Sequence, residues 1–344
     1  MNWNEEFVWD CAKNLFSIDS PTGYEKNALN YVEKLAKEMG YSTSRLQKGN
    51  LIVDVDGADN EHTLAFSAHV DTLGLMVRSI SENGTLRFTK VGGPILNTYD
   101  GEYCRILTRD NKIYTGTILS QHRAAHVHPE ANTSSREESN MEVRIDEVVH
   151  SKQDVLNLGI QNGDYIVVDP KFTITESGFI KSRFLDDKIS ACAMLGVLKA
   201  LKDNHITPKR HLKFFFGCYE EVGHGASYLP NDVEEFIAVD MGCIGLDLSC
   251  TEQQVSICAK DSSGPYDYEL VSRLIDLSKE NNIDYAVDIY PQYGSDVSAA
   301  LRGGNNVRGA LIGSGVDASH GMERTHKEGV KNTMKLIMAY LMKY

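Results

Sequence analysis

Five short stretches of this chain set carboxylates and imidazoles directly after apolar runs or at the start of a helix, where open α/β sheets build their sites. The first is Ser67-Ala68-His69-Val70-Asp71, behind Leu64-Ala65-Phe66. His69 offers a metal ligand, and Asp71 offers an acceptor for the second ring N–H, which would fix the tautomer. The second is Leu185-Asp186-Asp187-Lys188, two adjacent acids opening an apolar helical stretch through Ala191, Met194, Leu195 and Leu198. Helix capping by Asp186, with Asp187 in the first turn, accounts well for one acid and passably for both; the rival reading makes Asp186 a carboxylate bridging two metal ions. In the third, a strand of Leu212, Phe214, Phe215 and Phe216 runs into Glu220-Glu221. Carboxylates leaving a buried strand side by side are costly unless bound to a cation or protonated. The fourth is Asp240, ending Phe236-Ile237-Ala238-Val239, and the fifth runs from Gly315 to His326, with His320 and His326 both candidate ligands. Oxygen and imidazole donors suit hard or borderline divalent cations.

Such residues need a scaffold, and the hydrophobic pattern supplies one. Asn4 before Glu5 and Glu6, with Phe7, Cys11 and Leu15 on one face, predicts a first helix. Thr22 and Glu25 read as a capping box for a second, carried by Leu29, Val32, Leu35, Ala36 and Met39 and closed by Gly40. Strands follow over 50–55 and 63–68. From about Thr72 to Thr175 short alternating runs broken by Gly and Asn predict a small β-rich module with almost no helix. Its polar run from Asn132 to Asn140 is expected to be mobile, and His122, His126 and His128 crowd one loop that reads as solvated. Helix and strand then alternate to the end, which predicts an α/β fold around a mixed, mainly parallel sheet, interrupted by the β insertion.

Composition removes other classes. The 344 residues carry 35 Lys+Arg against 48 Asp+Glu, a formal charge of −13, so a nucleic-acid or anionic-membrane partner is disfavoured. No segment approaches the roughly 18–20 apolar residues of a membrane helix, and the acidic start is unlike a signal peptide. A cytoplasmic protein is expected. The seven cysteines are odd in number, form no C-x-x-C pair and read as reduced core residues.

Taken together, these motifs resemble the TET-like cocatalytic metallo-aminopeptidases, a group of glutamyl and leucyl aminopeptidases with some members formerly labelled cellulases. The resemblance runs over nearly the whole chain: SPTGYE, AHVD, VGG at Val91 to Gly93, LGIQNGDYIVVD, LDDK, EEVG, AVD, GSD at Gly294 to Asp296, and the final SH. It implies a three-layer αβα, zinc-exopeptidase-like catalytic domain from residues 1–72 and 176–344. The insertion, 73–175, would serve oligomerisation, from dimers to dodecamers. It implies two divalent ions, zinc or cobalt, one on His69 and Asp240 and the other on Glu221 and His320, with Asp186 bridging. Glu220 would be the general base, Asp71 the orienter of His69, and the Asp186-Asp187 peptide cis. The function implied is removal of N-terminal residues from small peptides by metal-activated water. Another dinuclear-metal amide hydrolase, of N-acyl or carboxypeptidase type, and a non-catalytic metal-binding scaffold are the alternatives. Two features depart from the family pattern: Thr72 replaces a Glu, and the last patch reads SHGMERTH, so that distance to the final helix favours His320 over His326. His224, after EEVG, reads equally as a substrate contact or a structural histidine. Gly294, Ser295 and Asp296 lie in the stretch expected to touch substrate.

Overall fold

A computed structural model describes residues 3–344. The chain divides into two compact units, one running through Thr72 and from Lys171 to Tyr344, the other Leu73–Pro170.

The larger unit is built on a ten-stranded sheet. Its centre is parallel: Arg210–Gly217, Asp59–His69, Val233–Val239 and Arg308–Val316 lie side by side in that order. Antiparallel strands complete it, with Leu51–Val55 and Ser42–Arg45 on one flank and Val255–Asp261 on the other. The central strands read as unbroken apolar runs because they are covered on both faces; Leu64, Phe66, Phe214, Phe216, Phe236 and Ile237 are all fully buried. The Leu185–Asp203 helix packs against Asp59–His69, and the helices Glu5–Phe16 and Lys327–Lys343 pack on it in turn. Sixteen of its nineteen residues are buried, which is why its sequence lacks a polar face.

The local signals at the helix ends have mixed outcomes. Asn4 caps Glu5–Phe16 by accepting from Phe7 N at 3.0 Å, as its spacing predicts. The capping box expected of Thr22 and Glu25 does not form: Lys26–Glu38 begins after Glu25 with no side-chain cap. The Thr22 hydroxyl instead donates to Asp71 Oδ2 at 2.7 Å, a contact 49 residues away in sequence. The same helix is pinned to the sheet edge by Glu33, which accepts from Lys37 Nζ at 2.6 Å and from Arg45 Nη2 at 2.7 Å. Those two cations hold its carboxyl down at about 2 from an ordinary 4.5. A depressed carboxylate pKa contributes stability above the unfolded value and loses it as the pH falls toward the folded one. Glu33→Gln is therefore expected to cost about 1 kcal/mol at pH 7, the scale of a partly solvated ion pair. The difference in urea midpoint from the parent should shrink as the pH is lowered from about 5 to 3; a pH-independent difference would show that the charge contributes nothing.

The smaller unit is a closed antiparallel barrel in the order Gly74–Ile80, Leu86–Val91, Met141–Ile145, Ile113–Ser120, Tyr103–Leu107, Tyr165–Val168. It carries a helix that the alternating pattern conceals, Lys152–Leu158, capped by Ser151 on Asp154 N and ended by left-handed Gly159. Within the run from Asn132 to Asn140, Arg136 Nε donates to Asp100 at 2.8 Å and Glu138 accepts from Lys90 N at 2.8 Å. His122 and His128 stack at 5.0 Å beside Glu130, His122 exposed and His128 half-buried. Residues 171–175, read from sequence as part of the insertion, fall in the larger unit because Thr173–Ile174 pairs with Phe179–Ser182 in a small sheet completed by Glu323–His326.

Candidate metal centre

The site lies at the carboxyl ends of the parallel strands. His69 ends its strand and pairs directly with Gly217, so the chain leaving Gly217 delivers Glu220 and Glu221 beside it. Asp240 follows Val233–Val239 on the other side of the His69 strand, and its N–H donates to Ile312 O at 2.9 Å. This junction needs glycine across from it, since a Cβ on Gly313 would sit 1.5 Å from the Asp240 carbonyl oxygen. His320 comes from the loop after Arg308–Val316, and Asp186 from the start of the buried helix, where the Asp186-Asp187 peptide is cis. Phe184, Tyr219 and His320 adopt left-handed φ of 66°, 62° and 64°. Such non-glycine residues are uncommon and concentrate where surrounding structure imposes a geometry.

These segments bring the ligand candidates together. His69 Nε2 lies 3.1 Å from Asp186 Oδ1 and 3.6 Å from Glu220 Oε2, while His320 Nε2 lies 3.5 Å from Asp186 Oδ2 and 3.6 Å from Glu221 Oε2. Asp186 thus turns one oxygen to each histidine. Ligand atoms of His69, Asp186 and Glu221 fall within 4.8 Å of one another, as do those of His69, Asp187 and Asp240. Asp187, absent from the ligand set expected from sequence, is fully buried; its Oδ2 accepts from His69 N at 3.2 Å. His326 is elsewhere: its Nε2 meets Ser177 O at 2.9 Å and its Nδ1 accepts from Glu328 N, capping the last helix.

Asp71 has a second task beside the one its spacing implies. His69 Nδ1 bonds the Asp71 backbone carbonyl at 2.9 Å. A carbonyl only accepts, so Nδ1 carries a proton and Nε2 is the ring nitrogen turned to the cluster. The Asp71 carboxylate, with Oδ1 3.4 Å from Nδ1, takes the amides of Glu220 and Glu221 at 3.2 and 3.3 Å and the Thr22 hydroxyl. It therefore faces the histidine ring and fixes the Glu220-Glu221 turn as well. The early SPTGYE motif acts through that contact, and Thr72 joins it by backbone bonds to Ser20 and Thr22.

A buried acid that sequence reasoning missed is Glu323, whose Oε2 accepts from Asp186 N at 3.1 Å and whose Oε1 accepts from His320 N at 2.9 Å. Its only signal was an acid in the SHGMERTH patch. Asp296 was expected to touch substrate but is 2% exposed; it lies behind the site, accepting from Ala226 N at 2.9 Å. Gly294 and Ser295 do line the cleft. His224 stacks on Tyr219 at 5.1 Å and is absent from the cleft wall.

So many acids in one buried place repel their own charge. Burial first, and Asp186 second, lift Asp240 to about 7; burial and neighbouring carboxylates push Glu220 and Glu221 well above the usual range. Burial opposes a charge on His69, yet Asp186 and Asp71 outweigh it and raise its pKa well above 6.5. The cluster attracts positive charge. The acids open onto a cleft of about 240 Å³ whose wall also carries Gln292, Tyr293, Gly294, Ser295 and Arg302.

The fold and the sequence both have relatives. Aminopeptidase APDkam598 from Desulfurococcus kamchatkensis superposes with a TM-score of 0.89 at 20% identity, covering 100% of this chain and 96% of its own. The Pyrococcus horikoshii TET1 peptidase, which assembles into a tetrahedron or a large octahedral shell, gives 0.85 at 23%, covering 98% and 100%. The α/β fold with its mixed sheet and separate antiparallel barrel is thus that of the TET aminopeptidases. YhfE of Bacillus subtilis (strain 168), named as a candidate aminopeptidase, is 45% identical over 333 residues, 96% of each chain. The model of the M42 glutamyl aminopeptidases matches residues 49–336. The chain belongs to that peptidase family and is a hydrolase of the metallo-aminopeptidase class.

Proposed function

We propose that this protein is a two-metal aminopeptidase that removes the N-terminal residue of short peptides. The observation that carries the reading is the clustering of His69 with Asp186 and Glu221 on one side and with Asp240 on another, His320 beside Asp186 and Glu221, and a further carboxylate, Glu220, next to His69. The residues fit divalent ions: Asp187 Oδ1 and Glu221 Oε1 are buried and accept no hydrogen bond among the described residues. Donors of this type suit zinc or cobalt. His69 and Asp240 would hold one ion, Glu221 and His320 the other, and Asp186 would bridge. When bound, such ions supply Lewis acidity to a scissile carbonyl and acidify water. Glu220 takes the proton of the attacking water at its carboxylate and delivers it to the departing amine. Asp71 and Thr22 hold the Glu220 backbone so that this carboxylate faces the cleft, and Glu323 sets Asp186 and His320 at a common height.

Assembly and setting belong to the same reading. The barrel unit exposes Tyr103, Ile113 and Val148, a supply of apolar contact surface for a homo-oligomer. All seven cysteines are unpaired, which suits a reducing, cytoplasmic compartment, and among the described residues no helix is long and apolar enough to cross a membrane.

The test is a panel of aminoacyl anilides, unblocked and N-blocked, offered to chelated protein and to protein with zinc or cobalt restored. Metal-dependent cleavage of unblocked substrates alone is the expected result. Cleavage of the blocked ones would transfer the site to the N-acyl hydrolases, and activity that survives chelation would end the metal reading.

A further inference from the structure

The cleft wall carries four carboxylates, Asp186, Glu220, Glu221 and Asp240, yet it also carries one guanidinium, Arg302. Several arginines of this acidic chain are held by carboxylates, Arg45 by Glu33, Arg308 by Asp267 and Glu269, and Arg324 by Glu252. Among the described residues the Arg302 side chain has no such ion pair and no hydrogen bond. Its backbone, by contrast, is fixed. Arg302 ends the Asp296–Arg302 helix, and that helix is fastened at both ends to the turn that follows Glu220 and Glu221. At its start, Asp296 Oδ1 accepts from Ala226 N at 2.9 Å. At its end, a Cβ on Gly303 would lie 2.1 Å from Ser227 O, and Asn305 both donates to Ser227 O and accepts from Leu229 N at 3.0 Å. A firmly seated residue thus presents a fork of unused donors to a cleft that is otherwise negative.

A guanidinium fork matches a carboxylate through two parallel hydrogen bonds. A peptide brings a carboxylate from two sources, the side chain of an acidic first residue or the C-terminus of a dipeptide. Resting on the aminopeptidase reading, we infer that Arg302 is the substrate-carboxylate anchor of the cleft. The substrate class is then a peptide with a carboxylate one or two residues' length from the scissile bond. The amine end is drawn to the acids and the carboxylate end to Arg302, so the two charges of the substrate fix its direction.

The experiment uses two matched pairs on the metal-loaded enzyme: glutamyl against leucyl anilide, and Leu-Gly against Leu-Gly amide. Arg302→Gln should lower kcat/KM for the carboxylate-bearing member of one pair about 10- to 100-fold more than for its neutral partner. An effect in the anilide pair identifies the side-chain carboxylate, and one in the dipeptide pair the C-terminus. Arg302→Glu should deepen the loss. Equal losses, or none, in both pairs overturn the anchor while leaving the aminopeptidase reading intact. A second readout stands apart from turnover: calorimetric binding of glutamic acid and of Leu-Gly to metal-loaded Glu220→Gln protein, with and without Arg302→Gln. Arg302-dependent binding without cleavage of any of the four substrates keeps the anchor and overturns the aminopeptidase reading; neither binding nor cleavage overturns both.

Discussion

Glu220→Gln is expected to keep its metal ions and to lose turnover by about 10²- to 10⁴-fold, the usual contribution of a positioned general base. The amide has the same shape and leaves the backbone bond to Asp71 in place, so the cleft should stay assembled. It cannot take a proton from water. Burial first, and the neighbouring carboxylates with it, raise the affinity of Glu220 for a proton, so a neutral amide suits the position and should not weaken folding. Metal content by elemental analysis, together with kcat on the preferred anilide, decides the matter. Full occupancy with near-parental turnover would remove Glu220 from the chemistry, and loss of metal would make it a ligand instead.

Asp186→Asn should fail differently. Among the described residues Asp186 is the side chain with one oxygen toward each of these histidines, 3.1 Å from His69 and 3.5 Å from His320. Those two imidazoles hold its pKa below the usual carboxylate range against the opposing effect of burial, so it is the acid of the cluster most fully committed to being charged. Replacing it removes that charge from both proposed ion sites at once. The variant is expected to bind fewer than two ions per chain and to be inactive. It should also lose most of the thermal stabilisation that added zinc gives the parent, about 4 kcal/mol at a thousandfold excess over Kd. Two ions retained with parental stability would show that the bridge lies elsewhere, and Asp187 would be the next carboxylate to replace.

What could be read from sequence divides along a physical line. His69, Glu220, Glu221 and Asp240 were legible because each follows an apolar strand, and a charged group in that position has few uses other than a site. The parallel sheet was legible for the same reason, as runs such as Phe214-Phe215-Phe216 have no solvent face. Asp187, Glu323, Thr22 and Arg302 were not, since each acts on something far away in the chain, and neither spacing nor periodicity encodes that approach. Thr22 and Glu25 carry the letters of a capping box, but tertiary contact with Asp71 claims the hydroxyl. The Val255–Asp261 strand went unread: it is short and interrupted by Ser256 and Lys260, and its place between two neighbours comes from the sheet rather than from its own pattern.

The strand order also dictates what the ribosome can deliver and when. Asp59–His69 is flanked by Arg210–Gly217 and Val233–Val239, neither of which exists until the whole barrel insertion has been made. At roughly 5–20 residues per second, the apolar strand bearing the first proposed ligand waits about 7–30 s for its nearest neighbour. The barrel, one continuous stretch of chain from Leu73 to Pro170, has all its strands in hand well before that. A nascent chain arrested ahead of Arg210 should therefore protect the barrel from protease while leaving Leu64 to Phe66 open to cleavage or to a chaperone, and it should hold no metal at His69.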